Sequence, residues 1–141
     1  MIVRDLRTID LMDAWQEPEG AMRLRVTFPL LGEPGTDALG SVYFEIEPGE
    51  ALGVHTDSQD EIVVLLSGSG EGTIGDETGE LSDGAMVYIP AMVPHGFRNT
   101  GSDILKAVGI FAGSAVVSTF EHELMPMGVR VVDTQQMWAG V

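Results

Sequence analysis

Apolar and polar residues alternate along most of this chain, in short runs set off by glycine and proline. The runs MRLRVTF (22–28), SVYFEIE (41–47), EIVVLLSG (61–68), EGTIG (71–75), AMVYIP (85–90), HGFRNT (95–100), ILKAVGIFA (104–112) and AVVSTFE (115–121) are rich in Val, Ile, Tyr, Phe and Thr. Short β-branched and aromatic runs at regular spacing predict an all-β sandwich or barrel. No segment keeps a helical apolar period for more than about ten residues. The best helical candidate is TIDLMDAW (8–15), where Ile9 and Met12 would share a face. LGEPGTDALG (31–40) reads as a loop. GDETGELSDG (75–84) reads as one tight turn and then another, with Gly79 and Gly84 supplying positive φ.

Composition narrows the chemistry. The 141 residues suit one domain, 1–141, with one core, and 44% hydrophobic residues are enough to pack it. There is no cysteine, so disulfides, thiolate zinc sites and cysteine nucleophiles are excluded, and any metal must be held by nitrogen and oxygen. Net charge is −15, from 22 acidic residues against 7 Lys and Arg. A surface this acidic repels phosphate backbones and anionic lipids, so neither nucleic acid nor membrane is expected as a partner. With so few cations, a buried arginine would stand out as a carboxylate anchor. The stretch MIVRDLRTIDLMDAW breaks its apolar residues with charge every few positions, unlike a signal peptide, and a cytoplasmic protein is expected.

Two stretches carry the candidate chemistry. The first reads G-EALGV-H-T-D-SQD-E-IVVLLS-G and places Gly49, His55, Asp57, Glu61 and Gly68 in a fixed frame. The second, G-AMVYI-P-A-M-VP-H-GFR-N, places Gly84, Pro90, Met92, His95 and Asn99. His55 and Asp57 stand two apart, so on a strand they share a face. No G-x-S-x-G elbow, P-loop or dinucleotide fingerprint is present.

This pair of motifs, at 49–68 and 84–99, resembles those of the cupin superfamily, G-x5-H-x-H-x3–4-E-x6-G and G-x5-P-x-G-x2-H-x3-N. Two fixed positions differ: Asp57 replaces the second histidine and Met92 a glycine. The resemblance implies a jelly-roll β-barrel, preceded here by an N-terminal arm (1–40), with His55, Asp57, Glu61 and His95 converging inside it. It also implies a homodimer.

Two imidazoles plus carboxylate oxygen make a ligand set for a divalent metal. The carboxylates favour Fe2+ or Mn2+, with Zn2+, Ni2+ and Co2+ competing. A metal-dependent enzyme acting on a small oxygen-bearing molecule is expected, of dioxygenase, isomerase or lyase type. Asp57 or Glu61, whichever is not firmly ligated, is the natural general base. The competing expectation is a non-catalytic module that binds a sugar or organic acid in the same pocket. Substrate-pocket candidates are Met92 near the mouth, Phe44, Phe97 and Phe111 on strands, and Arg23, which shares a strand face with Arg25. His122 has no ligand spacing to the other candidates and is expected to be exposed.

Overall fold

A computed structural model describes residues 1–18 and 22–139. Two six-stranded antiparallel sheets make up almost all of it. The first runs, in spatial order, β1 (Met12–Trp15), β2 (Arg23–Thr27), β3 (Gly40–Ile46), β10 (Leu105–Phe111), β5 (Glu61–Ser67) and β8 (Met86–Ile89). The second runs β12 (Val129–Asp133), β11 (Val117–Leu124), β4 (Ala51–Asp57), β9 (His95–Arg98), β6 (Ser69–Ile74) and β7 (Glu77–Ser82), and a short α1 (Thr134–Ala139) follows β12. This is the jelly roll that the motifs imply. No helix among the described residues is long and apolar enough to cross a membrane.

Alternation decides which face of β4, β5 and β10 is buried, while β3 is covered on both faces. Phe44 and Ile46 on β3, Val63 and Leu65 on β5, and Leu105 and Ala107 on β10 point inward and are all but sealed from solvent. Their neighbours Ile62, Leu66 and Ile110 face out. Each fully buried large apolar side chain stabilises the fold by about 1.5–3 kcal/mol. The same alternation carries Glu61 inward with Val63 and Leu65, and His55 inward with Asp57. The polar residues of the site are therefore core positions of two facing sheets.

Three expectations are corrected. The segment proposed as helical holds β1, which pairs with β2 from Met12↔Val26 to Trp15↔Arg23. Eight residues are too few to hold a helix alone, and pairing to an open sheet edge overrides a weak helical period. Secondly, the first turn of 75–84 is at Gly75 (φ 62°) and Asp76, while Gly79 lies inside β7; only Gly84 (φ 89°) turns as expected. Thirdly, β12 and α1 lie beyond the last predicted strand.

Met92 takes the left-handed conformation, φ 65°, at the position where the motif expects glycine. Its backbone N–H donates to the Asp57 carbonyl at 2.8 Å, which docks the 90–93 turn onto the end of β4. That contact holds a methionine in a backbone region that costs an L-residue about 1–2 kcal/mol.

Candidate metal centre

The site is a row of side chains across three adjacent strands. In β4 and β9 His55 and His95 are register partners, with ring centroids 4.2 Å apart. Phe120 of β11 pairs with His55 on its other side and stacks on it at 4.7 Å. Ser118, two residues earlier on the same inward face of β11, pairs with Asp57, and its hydroxyl donates to Asp57 Oδ1 at 2.5 Å. Glu61 reaches in from β5 of the opposite sheet. His55, Asp57, Glu61 and His95 are all buried.

Hydrogen bonds fix how the rings face. His55 Nδ1 lies 2.8 Å from the Gly53 carbonyl and His95 Nδ1 lies 2.9 Å from the Val93 carbonyl. A carbonyl only accepts, so each Nδ1 carries a proton and each Nε2 is turned to the interior. Asp57 Oδ2 lies 3.1 Å from His95 Nε2 and 3.6 Å from His55 Nε2. Neutral rings present only lone pairs at these nitrogens, and Oδ2 stands as a buried acceptor with no hydrogen-bond partner. Such a point calls for a positive charge, either a proton on a ring or a cation.

The electrostatics agree. Burial pushes the His95 ring down, but the Asp57 and Glu61 carboxylates and the Val93 carbonyl outweigh it, and its pKa is raised to about 9. Burial would likewise push the Asp57 carboxyl up; His55, His95 and Ser118 overcome this and hold it far below the usual carboxylate range. Glu61 goes the other way. Its burial, with the charge of Asp57, raises it despite the neighbouring His95 ring.

His55, Asp57 and His95 form the compact donor set, with ligand atoms all within 4.8 Å of one another. Glu61, the fourth expected ligand, stands beside this set, its Oε1 3.6 Å from His95 Nε2. Gly109 makes room for it. A Cβ built on Gly109 would overlap the Glu61 carboxylate and crowd Val42 Cγ1. Gly109→Ala is accordingly expected to destabilise the fold by about 1–3 kcal/mol. Adding Glu61→Ala, which clears the overlap, is expected to recover at least about 1 kcal/mol in a double-mutant cycle read by urea unfolding. Additive effects would mean that Glu61 does not rest on Gly109.

A cavity of about 450 Å³ opens from this cluster. Phe44, Phe97 and Phe111 line it. Met92 and Arg23 do not, and both expectations are corrected. The Met92 side chain is 61% exposed, because the left-handed turn aims it outward. Arg23 lies with its Cζ 5.0 Å over the Trp15 ring, on an exposed strand position. His122 is exposed, as expected. The residues that sequence reasoning missed are Ser118 and Gly109. A serine on an inward alternation with Val116 and Phe120 was the available signal for the first; the second depends on strand register alone.

Comparison with known proteins places this arrangement. The Cupin domain family model matches residues 42–111. An uncharacterized protein of Streptomyces coelicolor is 36% identical over 55 residues, which is 39% of this chain and 51% of that protein. The chain thus spans about half the length of the curated relative it matches. Among solved structures, a predicted oxalate decarboxylase from Thermotoga maritima superposes with a TM-score of 0.70 at 19% identity, over 80% of this chain and 99% of that one. A cupin 2 conserved barrel domain protein from Rhodopseudomonas palustris gives 0.63 at 23%, over 74% and 72%. At these identities the likeness is one of fold.

Proposed function

The chain belongs to the cupin superfamily, and from that premise we propose that it is a metal-dependent enzyme acting on a small organic molecule through oxygen donors. The observation that carries this reading is Asp57 Oδ2, buried without a hydrogen-bond partner and faced by two imidazole Nε2 atoms. His55, Asp57 and His95 would hold the ion, a donor set of two nitrogens and one carboxylate suited to Fe2+ or Mn2+. When bound, such an ion supplies Lewis acidity toward a substrate oxygen or, as iron, reactivity with dioxygen.

The chain's own residues do the rest. The Gly53 and Val93 carbonyls lock both rings with Nε2 inward. Ser118 occupies Asp57 Oδ1 and leaves Oδ2 for the ion. Glu61, outside the compact set yet within 3.6 Å of His95 Nε2, is the carboxylate left to accept and return a proton. A firmly ligated Glu61 would leave the site without a base, so its position supports an enzyme over a pure binding module. The apolar walls keep water from the reacting groups.

The test is a titration of Mn2+ into chelator-treated protein at pH 6 and pH 8. The proton on His95, with its pKa raised to about 9, must leave before Nε2 can ligate. Affinity is therefore expected to rise about 100-fold between the two pH values. A pH-independent affinity, or no saturable uptake, would count against the reading.

A further inference from the structure

The cavity sorts the chain's side chains sharply. All five of its phenylalanines line it: Phe28, Phe44, Phe97, Phe111 and Phe120. None of its seven Lys and Arg does. Arg4 and Arg7 pair with Glu33 and Asp5 on the N-terminal arm, and Arg25 pairs with Glu45. Arg23 lies over Trp15, Arg130 donates to the Phe120 carbonyl, and Arg98 and Lys106 are exposed. Among the described residues, the polar lining is Asp13 at the rim and His55, Asp57, Glu61, His95 and Ser118 within; apart from the indole N–H of Trp15, which donates to Glu17, the others are apolar.

We infer that the substrate is an apolar molecule of one or two rings that carries a single phenol or enol oxygen, and is neither a small dicarboxylate nor a sugar phosphate. Two magnitudes decide this. An aromatic ring moved from water onto these walls gains roughly 25 cal/mol per Å² of apolar surface, without any partner group. A dianion must shed its hydration among three carboxylates and find no Lys or Arg, the one cationic group, His95, being already held between Asp57 and Glu61, a cost of several kcal/mol. A divalent ion held by Asp57 leaves a single positive charge, which matches one ionised oxygen and not two. The volume, about 450 Å³, lies within the range of small-molecule sites, about 300–1,000 Å³. The cluster sits in the wall of an apolar chamber, so the ligand's oxygen is set against Nε2 and Oδ2 while its rings contact Phe44, Phe97 and Phe111. The inference rests on the proposed metal reading for where that oxygen points and for its single charge; the apolar walls and the absence of Lys and Arg from them stand without it.

The experiment is calorimetric titration of chelator-treated protein with 2-naphthol, oxalate and glucose 6-phosphate, repeated with Mn2+. Two half-buried wall positions supply the controls, Val26→Trp and Val132→Trp, each placing an indole in the chamber. In metal-free protein 2-naphthol is expected to bind at least about tenfold more tightly than either anion, and to weaken about tenfold or more in both variants. Added Mn2+ is expected to tighten 2-naphthol relative to naphthalene, which has no oxygen. Tighter binding of oxalate or glucose 6-phosphate would overturn the inference. So would 2-naphthol affinity that both tryptophans leave unchanged. Naphthol binding without any Mn2+ uptake would sink the metal reading and leave the apolar ligand standing. Mn2+ uptake without naphthol binding would do the reverse.

Discussion

His95→Ala destabilises the metal-free protein by about 3–5 kcal/mol, the largest single-residue effect expected in the cluster. His95 is 1% exposed, and its Nε2 lies between Asp57 Oδ2 at 3.1 Å and Glu61 Oε1 at 3.6 Å. Its removal leaves two buried carboxylates facing each other with no cation between them, and a ring-sized void beside Phe97. A distinctive pH dependence accompanies this loss. The pKa of His95 is raised in the fold from 6.5 to about 9, so the folded state holds the proton more tightly than the unfolded chain. That stabilisation, about 3 kcal/mol, is fully present below pH 6.5 and disappears as pH rises toward 9. Urea unfolding in the presence of chelator, at several pH values, checks both points. Wild type should lose stability across that window, and His95→Ala should lack the slope. A variant within 1 kcal/mol of wild type, with the same pH profile, would mean that no charged histidine bridges the carboxylates.

Asp57→Asn separates the fold from the metal. Asparagine keeps the shape and still accepts from Ser118 through its amide oxygen. Its amide N–H then points where Oδ2 stood and donates to the lone pair of a neutral imidazole. The buried acceptor without a partner is thereby replaced by a satisfied donor. Above pH 9, where His95 is neutral, stability of the metal-free form should change by less than about 1 kcal/mol for such a near-isosteric exchange. At lower pH the variant also loses the share of the His95 proton's stabilisation that Asp57 supplies. Metal affinity should fall by more than about 100-fold, since losses of outer-sphere partners alone cost 10- to 100-fold. Mn2+ titration at pH 8 reads this directly. Unchanged affinity would show that Asp57 is not a ligand and would move the ion toward Glu61.

Much of this site is visible in the sequence because a strand has a period of two. His55 and Asp57 must share a face, and Glu61 must share one with Val63 and Leu65; once the apolar members are core, the polar members are too. The glycines and Asn99 of the two motifs are likewise readable, and the fold agrees: Asn99 Nδ2 donates to the carbonyls of Ile46 and Asp103, tying β3 to the loop after β9. What escapes is whatever depends on which strand lies beside which. Ser118 touches Asp57 only because β11 joins β4, and Gly109 matters only because β10 runs next to β5. Arg23 and Arg25 share a face with or without a cavity behind it, so no local pattern tells an anchor from a solvated pair. The β1 segment is too short for a period of two and one of 3.6 to be told apart, and pairing with β2 decides it.

The central claim is that a divalent ion belongs at His55, Asp57 and His95. Elemental analysis of the protein purified without an affinity tag or chelator tests it most directly. About one equivalent of iron or manganese per chain is the predicted result. No metal in the purified protein, and no uptake when iron, manganese, zinc or nickel is added, would contradict it.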